Sequence, residues 1–371
     1  MSNYQIITID GVEYNIIDSI QNLRAEDSFI HPNNKLAIFS GNGEARKYVG
    51  KYIGKNGERL KTFFEYDNWG VTKTINGKRA EYPIIQKNCF FNKENLQRYL
   101  IDAKVEYQKQ EQNYHNDIFE FYAKYVESID NLEKGNIFFS IYDVSDHLQN
   151  AKNYRRGYIR SNDDIWNIWR KIVLPKISYL SILKIKPVKN TSDSEPLFYF
   201  RIFLDYQFRS IVHPQLLSNK SDFDLIKPVD IEKEIIKRSG RKGQQEYRKK
   251  VLENMPQCPF TLITDELLLR ASHIKPYAVC MSENNEKEAL DYLNGLSLTP
   301  TYDWLFDQGY ITFTNQGCLI CGTRLSPYTW EKLGINPNAQ KKMRIYPEGR
   351  EKYLEFHRKF VFQDNIDEII K

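Results

Sequence analysis

The chain opens on short apolar runs broken by glycine and asparagine, the pattern of strands joined by tight turns. Residues 36–57 (LAIFSGNGEARKYVGKYIGKNG) and 61–82 (KTFFEYDNWGVTKTINGKRAEY) read as strands and hairpins, with Asn76-Gly77 as a two-residue turn. The period then changes. Leu96, Tyr99, Ala103, Tyr107, Tyr114, Ile118, Phe121, Tyr125 and Ile129 recur every three to four residues and predict a long helical stretch over 93–132. Asn92 is placed to cap it, and Lys134-Gly135 to end it. Beyond lie a predicted strand at 136–144, a helix over 163–173 capped by Ser161 or Asn162, and a buried strand within 197–208 (LFYFRIFLDYQF). Residues 216–230 are polar and punctuated by proline, which sets a domain boundary near 225–240.

Composition adds limits. The chain has 371 residues, 41% hydrophobic and 27% charged, an ordinary globular balance with room for two domains. No apolar run approaches the length of a membrane span, and the first residues (MSNYQIITIDGVEYN) lack the basic and apolar regions of a signal peptide. Five cysteines in so long a chain are too few for a disulfide framework, so a cytoplasmic protein with reduced thiols is expected. The net charge of +5 does not announce nucleic acid, but residues 233–250 carry eight basic side chains against two acidic ones. That stretch reads as a phosphate-contacting segment or as a solvated helix face. The 25 Tyr, 21 Phe and 5 Trp suit stacking surfaces as well as cores, and also follow from a Lys/Ile/Asn/Tyr-rich composition.

The chemistry concentrates after Arg241. Residues 267–274 form a β-rich apolar run that places His273 at a strand end, leading into Ile274-Lys275-Pro276. Asn294-Gly295 turns into a brief second strand at 296–298. Thr299 then caps a helix with Pro300 at its first position and Gly309 at its stop. Asp303 and Asp307, four apart, share a face of that helix. The order is β-β-α with a histidine on the first strand, an asparagine at the second and a carboxylate on the helix, the arrangement of the ββα-metal, or HNH, nuclease motif. Phosphodiester hydrolysis needs a base for water, which neutral imidazole supplies near pH 7, and a divalent cation to neutralise the crowded phosphorus. A hard cation prefers carboxylate oxygen.

The region resembles the HNH endonuclease domains of bacterial restriction-type nucleases. The matching stretches are Gly243-Gln244 with Tyr247-Arg248, Cys258 with Thr261, LLRASHIKPY at 268–277, NGLSLTPTYDWLFDQGYITF at 294–313, TRLS at 323–326 and YLEFHRKFVF at 353–362. Together they span roughly residues 240–365. Several blocks in the right order are more specific than a single short motif. The resemblance implies His273 as general base, Asn294 as the residue that fixes the loop or the base, and Asp303 as ligand to Mg²⁺ (or Mn²⁺). His357 belongs to the family's terminal pattern and is expected to pack or hydrogen-bond.

Three positions depart from the family pattern. Ser272 stands where many relatives carry a second metal ligand, which leaves Asp303 with water, or Asp307, to complete the site. The third motif residue is Asp303 rather than histidine, and Leu262 stands where relatives often have glycine. Cys318 and Cys321 resemble a zinc knuckle that Cys258 and Cys280 would complete, against the alternative that the pair lies within a strand.

The fold class expected is α+β: a mixed recognition region over 1–230, read as one piece or as two subdomains split near 135, and a ββα-metal nuclease domain over 231–371. A ββα unit contacts phosphate, so sequence discrimination would come from the first region. Residues 154–160 (YRRGYIR) and the following helix, with Asn153, Asn162 or Asn167, are one candidate for base reading or simple phosphate contact. The expected function is a type II restriction endonuclease acting on double-stranded DNA, with a cognate DNA methyltransferase as system partner and a possible homodimer. The alternatives are a modification-dependent nuclease and a DNA-binding protein with a degenerate HNH unit.

Overall fold

In a computed structural model of the chain, the residues described are 4–24, 58–66, 74–75, 78–79, 84–114, 118–133, 135–146, 156–174, 178–189, 194–204, 242–339, 341–345 and 348–369. The chain divides into two compact units, residues 1–208 with 326–329 and residues 209–325 with 330–371. The expected boundary at 225–240, the run 36–57 and Asn76-Gly77 lie outside the described residues. No helix among the described residues is long and apolar enough to cross a membrane.

The first unit is built on a seven-stranded mixed sheet. Its strands are β1 (Ile6–Ile9), β2 (Val12–Arg24), β5 (Ile84–Asn92), β6 (Asn136–Asp146), β7 (Arg156–Arg160), β8 (Ser178–Pro187) and β9 (Leu197–Leu204). They lie in the order β1-β2-β8-β9-β5-β6-β7, with only β5 and β9 parallel. A separate small antiparallel pair joins β3 (Thr74–Ile75) and β4 (Lys78–Arg79), with Thr74 opposite Arg79 and Ile75 opposite Lys78. Helices α1 (Glu58–Phe64), α2 (Lys93–Tyr114), α3 (Ile118–Asp130) and α4 (Asp164–Ile172) share one core with one face of the sheet. Phe91, Phe139 and Phe200 from the strands meet Trp166 and Trp169 from α4 there. Asn95 pins α2 to β9, accepting from the Ile202 amide at 2.8 Å and donating to its carbonyl at 3.2 Å.

Three local expectations change. Glu58–Phe64 is a helix rather than part of a strand, because Leu60, Phe63 and Phe64 fall at i, i+3 and i+4 and are all buried on one face. The stretch 93–132 forms two helices, α2 and α3. Asn92 does cap the first, accepting from the Glu94 amide at 2.9 Å. Helix α4 starts after Asp163 instead of being capped by Ser161 or Asn162. The Ser161 hydroxyl accepts from the Asp163 amide, while the Asp163 carboxylate is drawn to the Ser140 amide across the sheet.

The second unit contains α5 (Lys242–Asn254), β10 (Arg270–His273), α6 (Tyr277–Ser282), α7 (Glu286–Ala289), β11 (Gly295–Leu298), α8 (Pro300–Asp307), β12 (Ile311–Phe313), β13 (Leu319–Cys321) and α9 (Glu351–Phe356). Strands β10 and β11 are antiparallel, with His273 opposite Gly295, and α8 packs on both. The fold class is therefore α+β, and the second unit contains a β-β-α element. The first strand is shorter than predicted, because residues 266–268 form a 3₁₀ turn capped by the Asp265 carboxylate. The Thr299 side chain does not cap α8; it is buried with its hydroxyl facing the Cys258 sulfur at 3.8 Å. Gly309 ends α8 at φ +68°, where a Cβ would lie 2.2 Å from the Val361 carbonyl.

The terminal segment braces this unit. His357 opens a π-helical turn (His357–Val361) and stacks on Phe306 at 3.8 Å. Its Nε2–H donates to the Phe306 carbonyl at 3.0 Å, and Nδ1 accepts from the Thr312 hydroxyl at 2.9 Å. Arg358 donates to the Phe313 carbonyl and to Asn315. Complete burial pulls the His357 pKa down to about 3, against the opposing bond to Phe306. The native state therefore binds fewer protons than the unfolded chain between the ordinary imidazole pKa and about pH 3. Stability from this group is complete above pH ~6.5 and is lost as pH falls through that window. We expect urea unfolding to record a loss of up to about 1.4 kcal/mol per pH unit from this residue. His357→Gln should be less stable at neutral pH but flatter in pH dependence, and parallel curves would refute the assignment.

Candidate active site

His273 ends β10, and its ring is fixed from three directions. One face stacks on Tyr247 of α5, with centroids 4.3 Å apart and planes 12° from parallel. Tyr277 meets it edge-on at 5.7 Å. Nε2 lies 3.0 Å from the Ala289 carbonyl oxygen. A carbonyl can only accept, so Nε2 carries the hydrogen and, in the neutral ring, Nδ1 keeps its lone pair. Nδ1 has no hydrogen-bond partner among the described residues. Burial lowers the His273 pKa below 6.5, with the Ala289 bond opposing, so the ring is a neutral base at pH 7.

Asn294 organises the chain around that ring. Wholly buried, it accepts from the Lys275 amide at 2.7 Å and donates to the Lys275 and Glu288 carbonyls, each at 3.0 Å. Its own carbonyl takes the Ile274 amide at 3.0 Å and the Tyr247 hydroxyl at 3.1 Å. One residue therefore holds the exit from β10, the carbonyl next to the one that holds His273, and the tyrosine that stacks on His273. Around it, Arg248 binds the Leu269 and Glu266 carbonyls ahead of β10. Arg350 donates to the Gly295 carbonyl, and Asp291 caps the 3₁₀ turn at Tyr292–Asn294 while accepting from Tyr353.

Asp303 sits in the first turn of α8, where the helix dipole favours a carboxylate. It is partly exposed and makes no side-chain hydrogen bond or ion pair among the described residues. That leaves a hard oxygen donor available. One carboxylate suits a small divalent cation that keeps several waters and takes phosphate oxygens as further ligands. Asp307 on the next turn accepts from Gln308 at 3.1 Å, and Ser272 is buried within β10. The four-thiolate zinc reading does not hold. Among the described residues no group of three or more His, Cys, Asp or Glu side chains is placed to hold a metal ion, these cysteines included. In the metal-free protein burial raises Cys280 to about 11 and Cys321 to about 12.

The sequence pattern points to His273, Asn294 and Asp303 but not to the partners that orient them. Tyr247 is legible only as a family block, and Ala289 acts through a carbonyl that any residue could provide. Leu262, which departs from the family's glycine, adopts φ +62°, a conformation glycine takes at lower cost. Of the basic stretch 233–250, the described part lies on α5, where Lys249 and Lys250 pair with Glu253 and Glu246. Of residues 154–160, those from Arg156 on form β7 at an edge of the seven-stranded sheet.

Residues 258–314 match a protein-family model described as HNH endonuclease. No curated protein matches the chain significantly. The matched span covers β10, β11 and α8, with His273, Asn294 and Asp303 inside it.

The stack on His273 also depends on the lack of a side chain at Gly295. A Cβ there would lie 2.5 Å from Val251 Cγ2 and 2.6 Å from the Tyr247 hydroxyl. Gly295→Ala should therefore cost about 1–3 kcal/mol in chemical denaturation through overpacking. Cleavage should fall with it as Tyr247 is pushed off Asn294. Unchanged stability and activity would mean the contact relaxes freely.

Proposed function

Because the second unit carries an HNH endonuclease domain, we propose that this protein is a type II restriction endonuclease that hydrolyses double-stranded DNA with Mg²⁺ (or Mn²⁺). The observation that carries the reading is the state of His273: Nε2–H held by the Ala289 carbonyl, Nδ1 bare, and a pKa below 6.5. His273 Nδ1 takes a proton from water as its oxygen bonds to phosphorus. The P–O3′ bond breaks, and the products are a 5′-phosphate and a 3′-hydroxyl once the departing oxygen has gained a proton. Asn294 keeps the β10 exit loop and the base in place. Asp303 would hold the cation, which supplies charge neutralisation at the phosphate and the departing oxygen.

Recognition is assigned to the first region, residues 1–230, with nuclease chemistry in 231–371. Phosphate contacts orient a nuclease without reading sequence, so base-edge contacts must come from elements beyond the β-β-α unit. Cutting both strands with a site that handles one at a time calls for a dimer or two successive nicks. A cognate methyltransferase would protect the host's own sites.

The test is digestion of unmodified phage DNA with Mg²⁺ or EDTA, followed by sequencing of the ends. We expect discrete Mg²⁺-dependent fragments that share one motif. His273→Ala should lower the rate by about 10²–10⁴-fold, the usual contribution of a general base. A smear would keep the nuclease and remove the sequence-specific reader. Cutting restricted to methylated DNA would make the enzyme modification-dependent, and no cutting of either substrate would end the enzymatic reading.

The rate–pH profile follows from the base. Because burial depresses the His273 pKa, its neutral form persists below the ordinary imidazole value. The single-turnover rate should therefore hold through pH ~6.5 and fall only at lower pH. A limb displaced to the alkaline side of that value would contradict a buried neutral base.

A further inference from the structure

Two residues after His273 lies a buried cation with no assigned role. Lys275 is 8% exposed, and an ammonium is seldom buried unless paired. Its Nζ reaches Glu283 at 2.5 Å and Glu288 at 2.8 Å, over the ring of Phe356 at 5.1 Å. The second oxygen of Glu288 takes Lys352 at 3.2 Å, so two cations grip this carboxylate. The Cys280 thiol lies in the same cluster.

Glu288 belongs to α7, four residues long and far too short to hold itself by helical bonds alone. Its position comes from outside ties. Asn285 accepts from the Glu288 amide, Asn294 donates to the Glu288 carbonyl, and Lys275 and Lys352 hold the side chain. The next carbonyl along, that of Ala289, receives the His273 Nε2–H. We propose that the Lys275–Glu288 ion pair is a positioning device that aims the Ala289 carbonyl at His273 and so fixes which ring nitrogen stays bare. This deepens the nuclease reading, on which the base role of His273 rests, although the tautomer itself does not depend on it. Glu283 provides the internal contrast: it binds the same ammonium but lies six residues before Ala289, at the end of α6.

The experiment uses the full-length, metal-free and DNA-free protein with ¹⁵N-labelled histidine, where six histidines give six pairs of ring resonances. His273 is assigned from a His273→Gln variant. We expect a dominant Nε2–H tautomer in the wild type. In Glu288→Gln the ratio of Nε2–H to Nδ1–H should drop about tenfold, as for loss of a hydrogen bond worth about 1.4 kcal/mol. Glu283→Gln should leave the ratio unchanged even where it lowers stability, which separates positioning from general support. Should Glu288→Gln fail to fold, Lys275→Met removes the same pair from the other side and is read the same way. The proposal is overturned if neither side of the pair moves the tautomer, or if Glu283→Gln moves it equally. Normal cleavage by His273→Ala would overturn the base assignment and leave the tautomer result standing.

Discussion

The carboxamide of Asn294 is the contact on which the second unit's local order depends. An amide side chain offers two donor hydrogens and an acceptor oxygen, and burial makes any unused one costly. Here both faces are spent on backbone: the amide and carbonyl of Lys275 and the carbonyl of Glu288. Those segments come from opposite sides of the β10–β11 connection, and neither has enough regular structure to fix itself. Aspartate could not donate to the two carbonyls, and leucine would leave the Lys275 amide without its acceptor and take a donor from each carbonyl. Asparagine at this position is therefore required by the geometry of the loop, before any chemistry is considered.

Local patterns made the main outline legible. Proline at the start of α8 and glycine at its end are short-range features, and the structure keeps them; His273, Asn294 and Asp303 lie inside the span that matches the HNH endonuclease model. Asn92 as a cap is another. What the sequence pattern left hidden is of two kinds. Some is local but ambiguous: Leu60, Phe63 and Phe64 suit a strand by residue type and a helix by spacing, and burial on one face decided it. The rest is non-local. The Tyr247 stack, the Ala289 carbonyl and the Lys275 network join residues whose proximity exists only after β10 and β11 pair with His273 opposite Gly295. No periodicity encodes that register, and carbonyl partners leave no trace in residue type.

His357 supplies a comparison within the same unit. Both histidines stack on an aromatic ring, both place Nε2 3.0 Å from a carbonyl oxygen, and burial lowers both pKa values. They differ at Nδ1. In His357 that nitrogen takes the Thr312 hydroxyl, so the ring is saturated and serves only to brace α8 against β12. In His273 the corresponding lone pair is bare among the described residues. Stacking, burial and a carbonyl bond are thus the common means of holding a neutral imidazole. Function is decided by the one nitrogen left over, since a base must have an unoccupied lone pair and a rigid ring to aim it. In the proposed function His273 is that base, and the contrast with His357 gives the physical reason why this ring, and not the other, keeps a lone pair free.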